Sequence, residues 1–196
     1  NIISYDASGD PVAIATGNDG QVLTSTGAGS PPAFETLPAS GITEIDQWHL
    51  TASFTNGSVA TTLTSNLARF SALGWLKRGT GMTESSGIFT FPSTGLWQIL
   101  FHFVFEYSGA LSSCNQAISG STNSGVGYTT LTDSGKAFTS SGINSTLSSA
   151  LFNVTNASTH RVKFTTYVST TSLVISGHAT SEATGMKFIR LGDYTT

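Results

Sequence analysis

From Leu96 to Tyr107 every odd position carries a large apolar group: Trp97, Ile99, Phe101, Phe103, Phe105 and Tyr107. A spacing of two puts these six on one face of an extended strand, and that face belongs in a core. Upstream, Ile88–Phe91 is a shorter apolar run, separated from the first by Pro92-Ser93-Thr94-Gly95. Pro92 has no N–H for a ladder and Gly95 tolerates positive φ, so the break is a turn or kink between strands. The even positions are Leu96, Gln98, Leu100, His102, Val104 and Glu106. Half of them are apolar, which suits a strand covered on both faces. In an antiparallel sandwich only one face meets the partner sheet. The second cover is another part of the chain or another copy of it, and we take the copy as the expectation.

The rest of the chain reads as all-β. Candidate strands are Ile42–Phe54, Val59–Leu63, Leu67–Leu76, Ala117–Ser119, Gly127–Leu131, Ser148–Val154, His160–Ser169, Ser172–His178 and Gly185–Leu191. Turn residues recur roughly every 8–12 positions, the pattern of a sandwich or barrel. In the His160–Ser169 stretch, Val162, Phe164, Thr166 and Val168 oppose Arg161, Lys163, Thr165 and Tyr167. Met186 and Phe188 oppose Lys187, Ile189 and Leu191, so the last strand is central or covered. The segments Ser108–Asn115, Ser119–Gly127 and Thr132–Thr146 are polar and rich in small residues, and read as long loops able to carry binding. Residues 1–40 differ. They alternate four-residue apolar pieces with Gly, Pro and Ser turns, too short to hold a core in isolation. This predicts an extended N-terminal arm, loose or wrapped on a partner, before a head domain of residues 41–196.

Only 10% of the residues are charged, against about 25% in an average domain, so Ser, Thr, Gly and Asn must solvate the surface. Such surfaces suit extracellular or particle-bound β proteins. The net charge of −3 and the absence of a basic run argue against nucleic acid as a partner. Asn1–Asp10 has neither a basic nor a long apolar signal region, and no stretch approaches the roughly 20 apolar residues of a membrane helix. No membrane insertion is expected. Cys114 stands alone and reads as a buried free thiol. His49, His102, His160 and His178 lie far apart, without metal-ligand spacing. Ser134-Gly135-Lys136 lacks the upstream glycine of a phosphate loop, and no nucleophile elbow occurs. Glu106 and Asp133 are carboxylates without a defined partner. The expectation is a non-enzymatic protein with no catalytic residue, metal or cofactor.

Two stretches carry resemblances. Gly87–Trp97, followed by alternating aromatics, resembles the complement globular-head and tumour-necrosis-factor-like (TNF-like) jelly rolls, and Thr184–Ile189 is similar to their closing strand. Gly17–Glu35 resembles a segment common in fibre and appendage proteins of tailed phages, and Ile42–Leu50 and Gly81–Gly87 look like phage versions of the head. The first resemblance implies a jelly-roll β-sandwich of ten strands that forms a homotrimer. By that analogy Leu100, His102 and Val104 point to neighbouring subunits. The second implies a structural virion surface protein: a short spike or capsid decoration held by its arm, with other capsid or tail proteins as partners. The apolar arm residues Tyr5, Val12, Ile14, Val22, Leu23 and Phe34 are then the candidates for particle attachment. The alternatives are a tail-fibre receptor-binding tip that adheres to a host surface glycan, and, more distantly, a secreted complement-like binding module.

Overall fold

The computed structural model describes residues 2–37, 41–56, 59–69, 77–107, 112–138, 140–169 and 173–194. The chain divides into two compact units, Asn1–Gly41 and Ile42–Thr196.

In the first unit the short apolar pieces pair two by two. Strand β1 (Ile2–Tyr5) pairs antiparallel with β2 (Pro11–Ile14), and β3 (Gln21–Thr24) with β4 (Ala33–Thr36). The Asp6 carboxylate shapes the first turn by accepting the N–H groups of Ser8 at 2.8 Å and Asp10 at 3.0 Å. Gly17 leaves room for the Phe34 ring: a Cβ there would come within 2.5 Å of it. Ile14 is buried, whereas Ile2, Ile3, Tyr5, Leu23 and Leu37 are exposed. Hairpins this short are marginal in water, so this unit has apolar surface to spare for a partner.

The second unit is a two-sheet sandwich. Its strands are β5 (Ile45–Leu50), β6 (Phe54–Asn56), β7 (Thr61–Thr62), β8 (Leu67–Arg69), β9 (Thr83–Ser85), β10 (Ile88–Thr90), β11 (Gly95–Tyr107), β12 (Ser112–Ser121), β13 (Thr129–Phe138), β14 (Gly142–Val154), β15 (Arg161–Val168), β16 (Leu173–Ile175) and β17 (Gly185–Gly192). In the first sheet β14, β11, β17, β5 and β8 lie side by side, and β16 and β6 continue the sheet beside the end of β11. The second sheet runs β13-β12-β15-β10-β9, with β7 on the free side of β15. The long strands switch sheets as the chain advances, β10 to β11 to β12 and β13 to β14 to β15, which is jelly-roll winding. The described residues of this unit form thirteen strands where the resemblance implied ten, because β6, β7, β8, β9 and β16 are pieces of two or three residues.

Strand β11 is central, flanked by β14 along its whole length and by β17 and β16 on the other side. Its odd residues from Trp97 to Phe105 are fully buried, and Tyr107 nearly so. Phe101 lies 5.0 Å from Phe164 of β15, and Phe89 lies 5.1 Å from Phe188, so ring contacts tie the two sheets together. Gln116 crosses between the sheets, giving its amide N–H groups to the Phe101 carbonyl, Ser134 and Ser148. The turn between β9 and β10 places Ser86 at φ 51° and Gly87 at φ 79°. Two consecutive positive φ values suit a tight hairpin, and a Cβ at Gly87 would strike the Leu63 carbonyl at 2.1 Å.

One expected loop is mostly strand, and the described part of another, residues 112–115, begins β12. Thr132–Thr146 falls largely within β13 and β14, and the Ala117–Ser119 strand extends to Ser112–Ser121. Their polar sequences mask the pairing, because the ladder is made by backbone groups that Ser and Thr side chains do not disturb. Of the expected Leu67–Leu76 strand, Leu67–Arg69 is β8 and residues 70–76 lie outside the described residues, as do residues 108–111 of the first expected loop.

Candidate functional site

The alternation that buries the odd side of β11 leaves its even side on the outer face of the first sheet. Leu96, Gln98, Leu100, His102 and Val104 are half-buried there and Glu106 is exposed. Register then brings apolar neighbours to the same face. On β14, Leu151 stands opposite Gln98, Leu147 opposite His102 and Ile143 opposite Glu106. These three are 61%, 58% and 70% exposed, far more than a chain meant to stand in water alone should leave in one row. Leu100 pairs with Ser149 and so meets Leu147 and Leu151 diagonally. On the other side of β11, Ile189 faces Gln98 and Ile45. Leu100, His102 and Val104 therefore lie in one row on this face, inside an apolar patch that spans β14, β11 and β17.

A depression of about 230 Å³ sits within the patch, lined by Leu100, His102, Leu147, Glu182, Gly185 and Lys187. Lys187 Nζ lies 3.1 Å from Glu182 Oε2, while Glu182 Oε1 is buried with no hydrogen-bond partner among the described residues. The Glu182 carboxylate lies across Gly185, where a Cβ would come within 2.4 Å of Oε1. A buried carboxylate oxygen without a donor is costly, and a group supplied from outside the chain would relieve it. Glu182, Ile143, Leu147 and Leu151 escape sequence reading. The first depends on a contact across the sheet; Ile143 sits in the expected Thr132–Thr146 loop, Leu147 lies between that loop and the expected Ser148–Val154 strand, and Leu151 is in that strand but its face is set by the register with β11.

The arm candidates divide by exposure. Ile14 is buried; Val12, Val22 and Phe34 are half-buried; Tyr5 and Leu23 face solvent. Val12, Ile14 and Phe34 line a concavity of about 250 Å³ within the first unit. Among the described residues no three His, Cys, Asp or Glu side chains gather as a metal site.

Cys114 is buried on β12. Burial pushes its thiol up to about 12, against weaker opposing pulls from a backbone hydrogen bond and the charge of Lys136. The thiolate fraction at pH 8 is then about a thousandfold below that of an ordinary thiol. We expect iodoacetamide to leave Cys114 unmodified in the native protein and to label it on denaturation, read by mass spectrometry. Native-state labelling at the unfolded rate would contradict the burial. The linkage has a definite sign. The unfolded thiol ionises above its ordinary value of 9.0 while the folded one stays protonated, so this group makes stability fall as pH rises between 9.0 and about 12.

Comparison with known proteins supports the fold. No family model matches the chain, and no curated protein sequence does. Solved structures do. Murine APRIL at pH 5.0 superposes with a TM-score of 0.56 and 15% identity, over 76% of this chain and 98% of that one. The fold is a TNF-like jelly roll. Murine APRIL at pH 8.0 gives a TM-score of 0.52 with 17% identity, over 76% of this chain and 100% of that one. Eiger TNF from S. frugiperda gives 0.51 with 14%, over 78% of this chain and 95% of that one. At these identities the likeness is one of TNF-like architecture, and the side chains of the apolar face are this chain's own.

Proposed function

We propose that the protein is a homotrimeric binding head. Three TNF-like jelly rolls close over their apolar sheet faces, and the arm holds the assembly on its carrier. The observation that carries this reading is the row of exposed Ile143, Leu147 and Leu151 beside Leu100, His102 and Val104. Covering a leucine or isoleucine side chain fully is worth about 1.5–3 kcal/mol, so several per subunit sustain a stable assembly. The threefold number comes from the resemblance to complement-head and TNF-like jelly rolls.

The resemblance of Gly17–Glu35 to tailed-phage appendages supports a virion as the carrier, with the protein as a short spike or capsid decoration and a tail-fibre tip as the neighbouring placement. The exposed apolar residues of the first unit suit attachment to another virion protein. A second reading, a secreted complement-like binding module, is favoured by a specific observation: the solved structures that superpose include APRIL and Eiger TNF. Antibody labelling of particles assembled with the full chain separates the two. Label on the particle surface, lost when Tyr5 and Leu23 are replaced by Ser, supports the virion reading. Full-length protein recovered free, with bare particles, overturns it in favour of the secreted module.

A further inference from the structure

The second sheet turns its outer face away from the apolar patch, and one part of that face is built unlike the rest. Register sets Asp133, Ala117 and Thr165 in a row across β13, β12 and β15, with Gly135, Asn115 and Tyr167 in the next row. Ala117 is a low floor. Around it stand Asn115, Asp133, Thr130, Thr165 and Tyr167, bordering a shallow, open concavity of about 170 Å³ that Ala60 also lines. Tyr167 is 43% exposed, on a strand whose even side chains are buried. The side chains of Asn115, Asp133 and Tyr167 have no hydrogen-bond partner among the described residues.

We propose that this concavity binds a neutral pyranose of a surface glycan. The inference rests on the reading of the protein as a binding head and names the ligand class of that head. The chemistry of the lining selects the ligand. The Tyr167 ring offers an apolar face for sugar C–H groups, with a phenolic hydroxyl at its rim. Asn115 donates and accepts, Asp133 accepts, and the two threonine hydroxyls do both, which matches a ring of hydroxyl groups. Among the described residues no cation lines the concavity. Lys163 lies on the same strand, but its ammonium sits 4.4 Å from the centroid of the Tyr128 ring. With the Asp133 carboxylate as the only charge among its described lining residues, the site disfavours acidic sugars. Neighbouring strands lie about 4.7–4.9 Å apart, so three of them span the width of one or two sugar rings. The site lies on the sheet opposite the assembly face, so a trimer displays three copies and gains avidity on a repeating polysaccharide.

Saturation-transfer NMR on the full chain tests this, with methyl glycosides of glucose, galactose and mannose as neutral probes and the methyl glycoside of N-acetylneuraminic acid, its carboxylate free, as the acidic one. The expected result is transfer to the ring protons of at least one neutral glycoside, reduced at least fivefold by Tyr167→Ala, retained by Tyr167→Phe, and weak or absent for the neuraminate. No transfer to any neutral probe, an unchanged signal in Tyr167→Ala, or stronger transfer to the neuraminate overturns the proposal. Sedimentation of the same samples keeps the two levels apart, because a trimer without sugar binding removes this inference and leaves the assembly reading standing.

Discussion

Replacing Leu147 by Asp is expected to turn the proposed trimer into a monomer that keeps its jelly-roll fold. Leu147 is 58% exposed in the single chain, so its replacement disturbs no intrachain core. In the assembly the substitution has two costs. Each subunit loses part of the 1.5–3 kcal/mol gained by covering a leucine, and each new carboxylate must be taken out of water, at roughly several kcal/mol. A loss of about 3 kcal/mol per interface already weakens association more than a hundredfold, and the substitution acts at all three interfaces. Leu151→Asp is expected to do the same, and Thr165→Asp on the opposite sheet to leave the trimer intact. Light scattering behind a sizing column reads all three. A trimeric Leu147→Asp protein, or a Thr165→Asp protein that dissociates, contradicts the placement of the face.

Arg69→Ala is expected to destabilise the head by about 3 kcal/mol, near the low end of the range for breaking a buried ion pair because Arg69 is itself 36% exposed. Asp46, only 1% exposed, takes a two-pronged contact from Arg69, Nε to Oδ1 and Nη2 to Oδ2, both at 2.8 Å. The Trp48 indole N–H and the Met82 backbone N–H also donate to Oδ2, at 2.9 and 2.7 Å. The guanidinium lies 4.4 Å above the Trp48 ring and donates to the Met82 carbonyl. One carboxylate thus ties β5 and β8 to the segment leading into β9. Removing Arg69 leaves a buried charge held by two neutral donors. The double variant Asp46→Asn with Arg69→Ala should lose less than the two single losses added, since it leaves no unpaired charge. Urea titrations at one protein concentration measure this, as the stability of any assembly depends on concentration. A loss below about 1 kcal/mol for Arg69→Ala contradicts a structural role for the pair.

The sequence displays most clearly what rests on side-chain alternation. The two faces of β11 and β15 and the apolar character of β17 are visible as period-two patterns because each strand presents large groups to the core. The break at Pro92–Gly95 is equally visible, since those residues constrain the backbone themselves. Of the long β12, β13 and β14 strands, only the pieces Ala117–Ser119, Thr129–Leu131 and Ser148–Val154 show as strand, and the rest is hidden. Thr132-Asp133-Ser134-Gly135 has turn chemistry, yet it pairs on the edge of the second sheet, where only one side of the backbone needs a partner. Ile143, Leu147 and Leu151 do carry a signal, since a spacing of four keeps them on one face of a strand, but Ile143 sits in the polar Thr132–Thr146 stretch that reads as loop and only Leu151 falls in the expected Ser148–Val154 strand. The Asp46–Arg69 pair spans twenty-three positions and has no local signature. Leu100, His102 and Val104 were readable as an outward face, while what completes that face, β14 and Glu182, depends on register.

The mass of the full chain in solution is the most direct measurement. Sedimentation equilibrium at micromolar concentration should give three times the 20.4 kDa chain mass, without dissociation on dilution to the nanomolar range. A stable species of 20.4 kDa at micromolar concentration, monodisperse and slow to aggregate, would mean that water covers the face formed by Leu100, Val104, Ile143, Leu147 and Leu151, and the account would fail.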